Sequence, residues 1–267
     1  TQDLIAMNPW LLTGTGAVAA FFIMLILWLV QRRTGNAGIV DVGWSATIPV
    51  LAILFAVVSG TISCPPVAVA STLVALWGGR LAWHIHHRGK GKPEDARYRD
   101  LKAAWGDQAQ LKLFFFFQFQ AAAALVFALP FLFITLGDCA RPDAFELAGA
   151  ALFLLAWSGE AAADRQLARF KRDPSSKGKV CEIGWWNYSR HPNYFFEWLI
   201  WCAFALYAWP SPHGAWAILC PTLMLFFLFK VTGIPATEEQ ALKSKGEAYR
   251  RYQQTTSVFI PWFKKKA

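Results

Sequence analysis

The stretch NYSRHPNYFFEW, residues 187 to 198, sets Arg190, His191 and Glu197 at the entrance to an apolar segment. Pro192 suits the first turn of a helix, because a helix start leaves that N–H unpaired in any case, so His191 and the amides of Asn193 and Tyr194 fall at a positive helix end. A guanidinium there suits phosphate, which it can grip with two parallel N–H donors. Just upstream, DPSSKGK combines small residues and cations in a pattern suited to an oligo-anion such as a pyrophosphate.

Other polar groups also gather at the ends of apolar runs. VDVGWS places Asp41 and Trp44 three residues apart on one helical face, where a carboxylate inside hydrocarbon is costly unless paired or neutral. Arg80, His84 and Arg88 recur every four residues and share a face that wants an anion. PEDARY supplies Glu94, Asp95, Arg97 and Tyr98, which a solvated helix start capped by acids would also explain. Glu160 and Asp164 are followed by Arg165, Arg169 and Arg172. The tail carries Pro235, the Glu238–Glu239 pair and an amphipathic helix with Tyr249 and Tyr252 on one face, able to cover a ligand or lie on a bilayer.

The elements that must position these groups follow from composition. A chain of 267 residues with 55% hydrophobic residues, 14 tryptophans, 22 phenylalanines and a mean hydropathy of +0.32 exceeds what a soluble core requires. A spanning helix takes about 20 mostly apolar residues, since backbone polar groups in hydrocarbon must be satisfied internally. Seven segments are expected to span: Trp10 to Val30, Ile39 to Val58, Val67 to Trp83, Leu113 to Leu136, Ala144 to Trp157 and its continuation, Tyr194 to Trp209, and Ala215 to Val231. Of the 26 basic residues, all but Arg80 and Arg141 then fall in the loops and tail of one face. By the positive-inside rule that face is cytoplasmic, with the N-terminus outside and the C-terminus inside.

The expected fold class is therefore an all-α integral membrane protein, a seven-transmembrane-helix bundle forming a single domain over residues 1–267, multi-pass in a bacterial inner membrane. The first apolar segment lacks a basic run and a small-residue cleavage site and is expected to remain as an anchor. The five cysteines form no CxxC and no grouping with histidine, so no metal site is expected. Cys64 and Cys139 fall in loops on the outer face, where a disulfide is open to them, though two unpaired thiols are the expectation.

ADRQL, GWWNYSRHPNYFFEW and EEQALKSKGEAYRRYQQTTSVFIPWF resemble the DUF1295 branch of the steroid 5α-reductase family, integral membrane enzymes that use NADPH. The resemblance covers most of the chain from Asp41 onward and implies a seven-helix fold with NADPH in a cavity open to the cytoplasm, while a lipid-like enone or alkene enters from the bilayer. It implies an oxidoreductase acting on CH–CH groups, with membrane lipids and a lipid-like small molecule as partners and no nucleic acid. Around the cofactor it places Asp164, Arg165, Lys171, Trp186, Tyr188, Ser189, Arg190, His191, Asn193, Tyr194 and Glu197, joined by Arg88 and Arg97. Glu238, Tyr249 and Tyr252 would close over it.

The Gln-Glu pair that steroid-reducing members carry on helix two does not occur here, and Asp41 is the nearest acid by position. Asp41, Tyr98 and His84 are thus the candidate proton donors, with Trp44 and Arg80 facing the substrate. Membrane methyltransferases of the isoprenylcysteine and phospholipid type, which use S-adenosylmethionine, also carry an RHPxY-like motif and a Glu-Glu pair, and form the alternative enzyme class. The several phosphate-suited cations favour the reductase, because S-adenosylmethionine carries no phosphate. A lipid-binding scaffold or transporter is a third class; charge gathered at one face rather than at the midplane argues against it.

Overall fold

The computed structural model describes residues 8–231 and 233–265, and every described element is helical apart from turns and one isolated parallel bridge between Ser189 and Ser257. Five helical stretches are long and apolar enough to cross a membrane: Pro9–Thr34, Ile39–Val58, Ala96–Phe127, Ala144–Arg172 and Gly214–Lys245. Their outward surfaces are those of a lipid-facing protein, with Trp10, Phe115, Leu155 and Phe226 all more than half exposed. The two remaining expected spans correspond to Pro65–Gly89, whose second half carries Arg80, three histidines and Arg88, and to Pro192–Ala208. The latter has only 17 residues. At about 1.5 Å per residue it falls short of a hydrocarbon core about 30 Å thick.

The chain divides into two compact units, one of residues up to Glu146 together with Ala208–Ala215, the other of Leu147–Tyr207 and the residues from Trp216 onward. In the first, α1 (Pro9–Thr34), α2 (Ile39–Val58), α3 (Pro65–Gly89), α4 (Ala96–Trp105), α5 (Ala109–Phe127) and α6 (Leu129–Thr135) enclose a core of Leu12, Met24, Val40, Leu51, Phe55, Leu113 and Phe117. Pro49 inside α2 has no N–H to offer the carbonyl of Ser45, and that carbonyl lies against Gly78 of α3. A Cβ on Gly78 would sit 2.5 Å from the Ser45 oxygen, so this contact between α2 and α3 requires glycine. The expected fourth span is broken at Ala128, because Pro130 can start a new helical turn but cannot continue the old one.

Cys64, just before α3, and Cys139, just after α6, are joined by a disulfide, which overturns the expectation of two free thiols. The helix packing of the first unit brings together two cysteines 75 residues apart, a proximity that spacing alone does not reveal.

The second unit contains most of α7 (Ala144–Arg172), then α8 (Pro192–Ala208), α9 (Leu219–Phe226) with a π-helical extension over Phe227–Val231, α10 (Ile234–Lys245) and α11 (Glu247–Thr255). Gly149 packs onto the backbone of α8 at Ala203 and Tyr207, and Gly159 onto the ring of Phe196. The amphipathic tail helix expected to present Tyr249 and Tyr252 on one face is α11, and α10, which carries the Glu238–Glu239 pair, precedes it. Gly246 ends α10 with φ 55°, a left-handed conformation that side chains with a Cβ avoid.

Candidate functional site

In the first unit a polar cluster is built around the start of α2. Asp95 caps α4 by accepting from the Arg97 amide at 3.0 Å and holds the Arg97 side chain through Nε and Nη2, each at 3.1 Å. Glu94 accepts from the Ala37 amide at 2.6 Å and pairs with Lys102 at 2.6 Å, while Lys102 donates to the Gly35 carbonyl at 2.7 Å. These bonds tie α4 to the turn between α1 and α2. The result is that the buried Tyr98 donates its hydroxyl to Asp41 Oδ1 at 2.6 Å, and Arg97 Nη2 reaches Asp41 Oδ2 at 3.2 Å. Trp44, one turn further along α2, is set edge-on to Trp77 and Phe127. Arg80 and His84 are half-buried on α3, and Arg88 is exposed at its end.

In the second unit the motif that opens α8 is locked to the chain's last segment. Arg190 donates Nε to Glu238 at 2.7 Å and Nη1 to the carbonyls of Gln253 and Thr256 at 2.8 and 3.0 Å. His191, buried, meets the same Glu238 oxygen at 3.2 Å, and Gln253 donates to the other at 2.8 Å. Tyr249 lies 3.5 Å from Glu238, and Tyr252 donates to the carbonyls of Trp186 at 2.5 Å and Ser189 at 3.1 Å. Ser189 in turn donates to the Phe259 carbonyl at 2.7 Å, the Arg190 amide to Ser257 at 2.8 Å, and the Trp262 amide to Tyr188 at 2.9 Å. Burial pushes the Tyr249 phenol well above its ordinary pKa, with the Glu238 carboxylate adding to the effect. Tyr252 moves the same way, again chiefly through burial.

A second group lines α7 and α8. Asn193 donates to Asp164 at 3.3 Å, Tyr194 stacks on His191 and lies 3.3 Å from Thr237, and Glu197 accepts from Trp201 at 2.9 Å. Trp186 donates its indole N–H to the Ala163 carbonyl, while Arg165 and Lys171 are exposed along α7. Tyr188 is part-exposed against Phe263.

The first cluster thus brings Asp41, Arg97 and Tyr98 together, and the second unites Trp186, Ser189, Arg190, His191, Glu238, Tyr249 and Tyr252. Reading the sequence missed Lys102 and Gln253. Each bonds to an acid the sequence did single out, Lys102 to Glu94 and Gln253 to Glu238, but neither stands at helical spacing from its acid; Gln253, four residues after Tyr249, does stand on the tyrosine face of α11.

Residues 27–256 match the family described as Protein of unknown function (DUF1295). The chain belongs to the DUF1295 family. Both polar clusters lie inside the matched range, except for the segment after residue 256 that pairs with the Tyr188–Arg190 backbone. A relative from Schizosaccharomyces pombe (strain 972 / ATCC 24843), the Uncharacterized protein C594.04c, is 25% identical over 288 residues, spanning 95% of this DUF1295 chain and 80% of the yeast protein. No solved structure matches.

Proposed function

We propose that this DUF1295 protein is a membrane reductase that adds hydride from NADPH and a proton across a polarised C=C bond of a lipid-like substrate. The observation that carries the reading is the buried Tyr98 hydroxyl held 2.6 Å from the part-buried Asp41 carboxylate, which Arg97 also contacts, at the start of an apolar helix. A phenol held this way is a positioned acid. When Asp41 is itself protonated it becomes a donor toward the phenol oxygen, which frees the Tyr98 proton for the carbon or carbonyl oxygen of the substrate. Arg97 keeps the carboxyl oriented, and Trp44 gives an aromatic wall one turn away.

NADPH, when bound, supplies the hydride. The second unit offers groups that fit it. The Asn193 amide and Asp164 carboxylate suit ribose hydroxyls, Tyr194 suits a flat ring, and Arg165 and Lys171 are cations exposed beside them. Arg190 fits the phosphate role poorly, because its Nε and Nη1 are spent on Glu238 and two carbonyls. Its role in this proposal is to anchor the tail helices over the α8 start.

The topology proposed with this chemistry has seven spans, α3 and α8 included, with the basic loops and cofactor side facing the cytoplasm. The Cys64–Cys139 disulfide supports it, since disulfides persist on the oxidising side and both cysteines lie in loops remote in sequence from the basic runs.

The test uses the purified protein in nanodiscs with a lipid enone and NADPH deuterated at either face of C4. Transfer of one deuterium to the β-carbon, with Tyr98→Phe slowing turnover by roughly 100-fold while NADPH affinity holds, is the expected result. Methyl transfer from S-adenosylmethionine without NADPH oxidation would replace the reductase by the methyltransferase alternative.

A further inference from the structure

Residues 257–265, which follow α11, are seated along the chain that leads into α8. The Ser257 carbonyl accepts from the Arg190 amide at 2.8 Å, the Trp262 amide donates to the Tyr188 carbonyl at 2.9 Å and the Lys265 amide to the Thr255 carbonyl at 2.9 Å. Lys264 pairs with Glu182, and the buried Phe259 ring packs edge-on against Phe195 and Phe229. The backbone of this segment is therefore held along its length.

Its side chains point the other way. Ile260, Trp262 and Phe263 are 57%, 67% and 75% exposed, and the Lys264–Glu182 pair brings the exposed Ile183 to the same surface. Large apolar side chains held outward on a fixed backbone mark an interaction surface. The amphipathic α11 does not serve it, because Tyr252 turns inward to the Trp186 and Ser189 carbonyls and Tyr249 to Glu238. Of the two uses open to the tail in the sequence, α11 takes the inward one, and the segment after it is left for the bilayer.

The occupant follows from position and charge. Ser257 bonds to the residue two before Pro192, where the apolar α8 begins, so the surface lies at a membrane edge. Its apolar residues are followed at once by the exposed Lys264 and Lys265, which is how an interfacial segment sets rings at headgroup level and ammonium groups among lipid phosphates. A second copy of the chain fits less well, since it would bring another net charge of +9 against these lysines.

We propose that residues 257–265 are an interfacial anchor for an anionic leaflet, with Ile260, Trp262 and Phe263 among the lipid carbonyls and Lys265 against lipid phosphates. The same grip steadies the Arg190–Glu238 cluster, because Arg190 also donates to the Thr256 carbonyl, one residue before the anchor. The anchor rests on the chain being membrane-embedded and stands whether or not the protein is a reductase.

The test places the full chain, labelled with 5-fluorotryptophan, in nanodiscs of phosphatidylcholine with or without phosphatidylglycerol, the Trp262 resonance being the one that Trp262→Phe removes. In the anionic discs a lipid carrying a nitroxide near its carbonyl should broaden this resonance more than a water-soluble gadolinium chelate does. That preference should fall about fivefold in pure phosphatidylcholine, the loss expected for one lysine near an anionic surface. Lys265→Gln should reproduce the fall in anionic discs, while Lys243→Gln, whose ammonium pairs with Glu239 on the exposed face of α10, should not. Deuterium exchange of the Arg190 amide should quicken alongside, by about the same factor. Broadening by the chelate rather than the lipid, by neither with copies crosslinked through the tail, or by lipid equally in both discs would overturn the anchor, as would Arg190 exchange indifferent to the anionic lipid. Trp10, exposed at the head of α1, reports separately on embedding: if it too is untouched by lipid, the membrane reading fails together with the anchor.

Discussion

Asp41→Asn keeps the size of the side chain but removes the charge that Tyr98 and Arg97 now share. It should lower turnover by about two orders of magnitude with cofactor affinity unchanged, as stopped-flow measurement of bound and oxidised NADPH would show. Arg190→Ala leaves Glu238 part-buried without its closest cation, a change expected to cost about 3–5 kcal/mol in a thermal or denaturant melt. For Tyr249 and Tyr252 the folded pKa lies above the unfolded value near 10, so the neutral phenols favour the folded state. That contribution is complete below about pH 10 and is lost as pH climbs through the folded pKa, so absorbance at alkaline pH should show two tyrosines ionising only as the tail undocks. The sequence made Arg190 and Asp41 legible as charges at a membrane edge, because a charge beside apolar sequence needs a reason. It did not reveal that Arg190 is consumed by the Gln253 and Thr256 carbonyls, since a backbone acceptor more than sixty residues away leaves no mark on residue type.

At the scale of elements, helix starts were readable and breaks were not always so. Pro192 at the head of α8 was legible from its missing N–H, whereas the interruption at Ala128 hides in a run that is apolar on both sides. Close helix contacts were equally silent, because any glycine in an apolar helix looks alike until its neighbour is known. Gly78→Ala tests this. A methyl group 2.5 Å from the Ser45 carbonyl forces α2 and α3 apart, and the variant should lose about 1–3 kcal/mol by chemical denaturation, while Gly79→Ala, with open space around it, should be near neutral. The disulfide closes a loop between helices of the same unit. Replacing both cysteines by serine should lower stability by about 2–5 kcal/mol, seen as a drop in melting temperature that reducing agent reproduces in the wild type.

For the molecule as a whole, composition alone announced an all-helical chain with apolar surfaces, since no soluble core needs so many outward tryptophans and phenylalanines. The number of spans was less legible. α3 mixes a spanning length with cations, and α8 is short, so hydropathy and length pull in opposite directions. Charge carried the finer information: the basic residues segregate by loop, and the carboxylates concentrate where cations or phenols already stand. That pattern supports the proposal that the second unit holds a phosphorylated dinucleotide. Equilibrium dialysis of the purified protein against NADPH and S-adenosylmethionine in parallel addresses it directly. One NADPH retained per chain and no S-adenosylmethionine is the expected result; retention of S-adenosylmethionine, or of neither, would overturn the proposal.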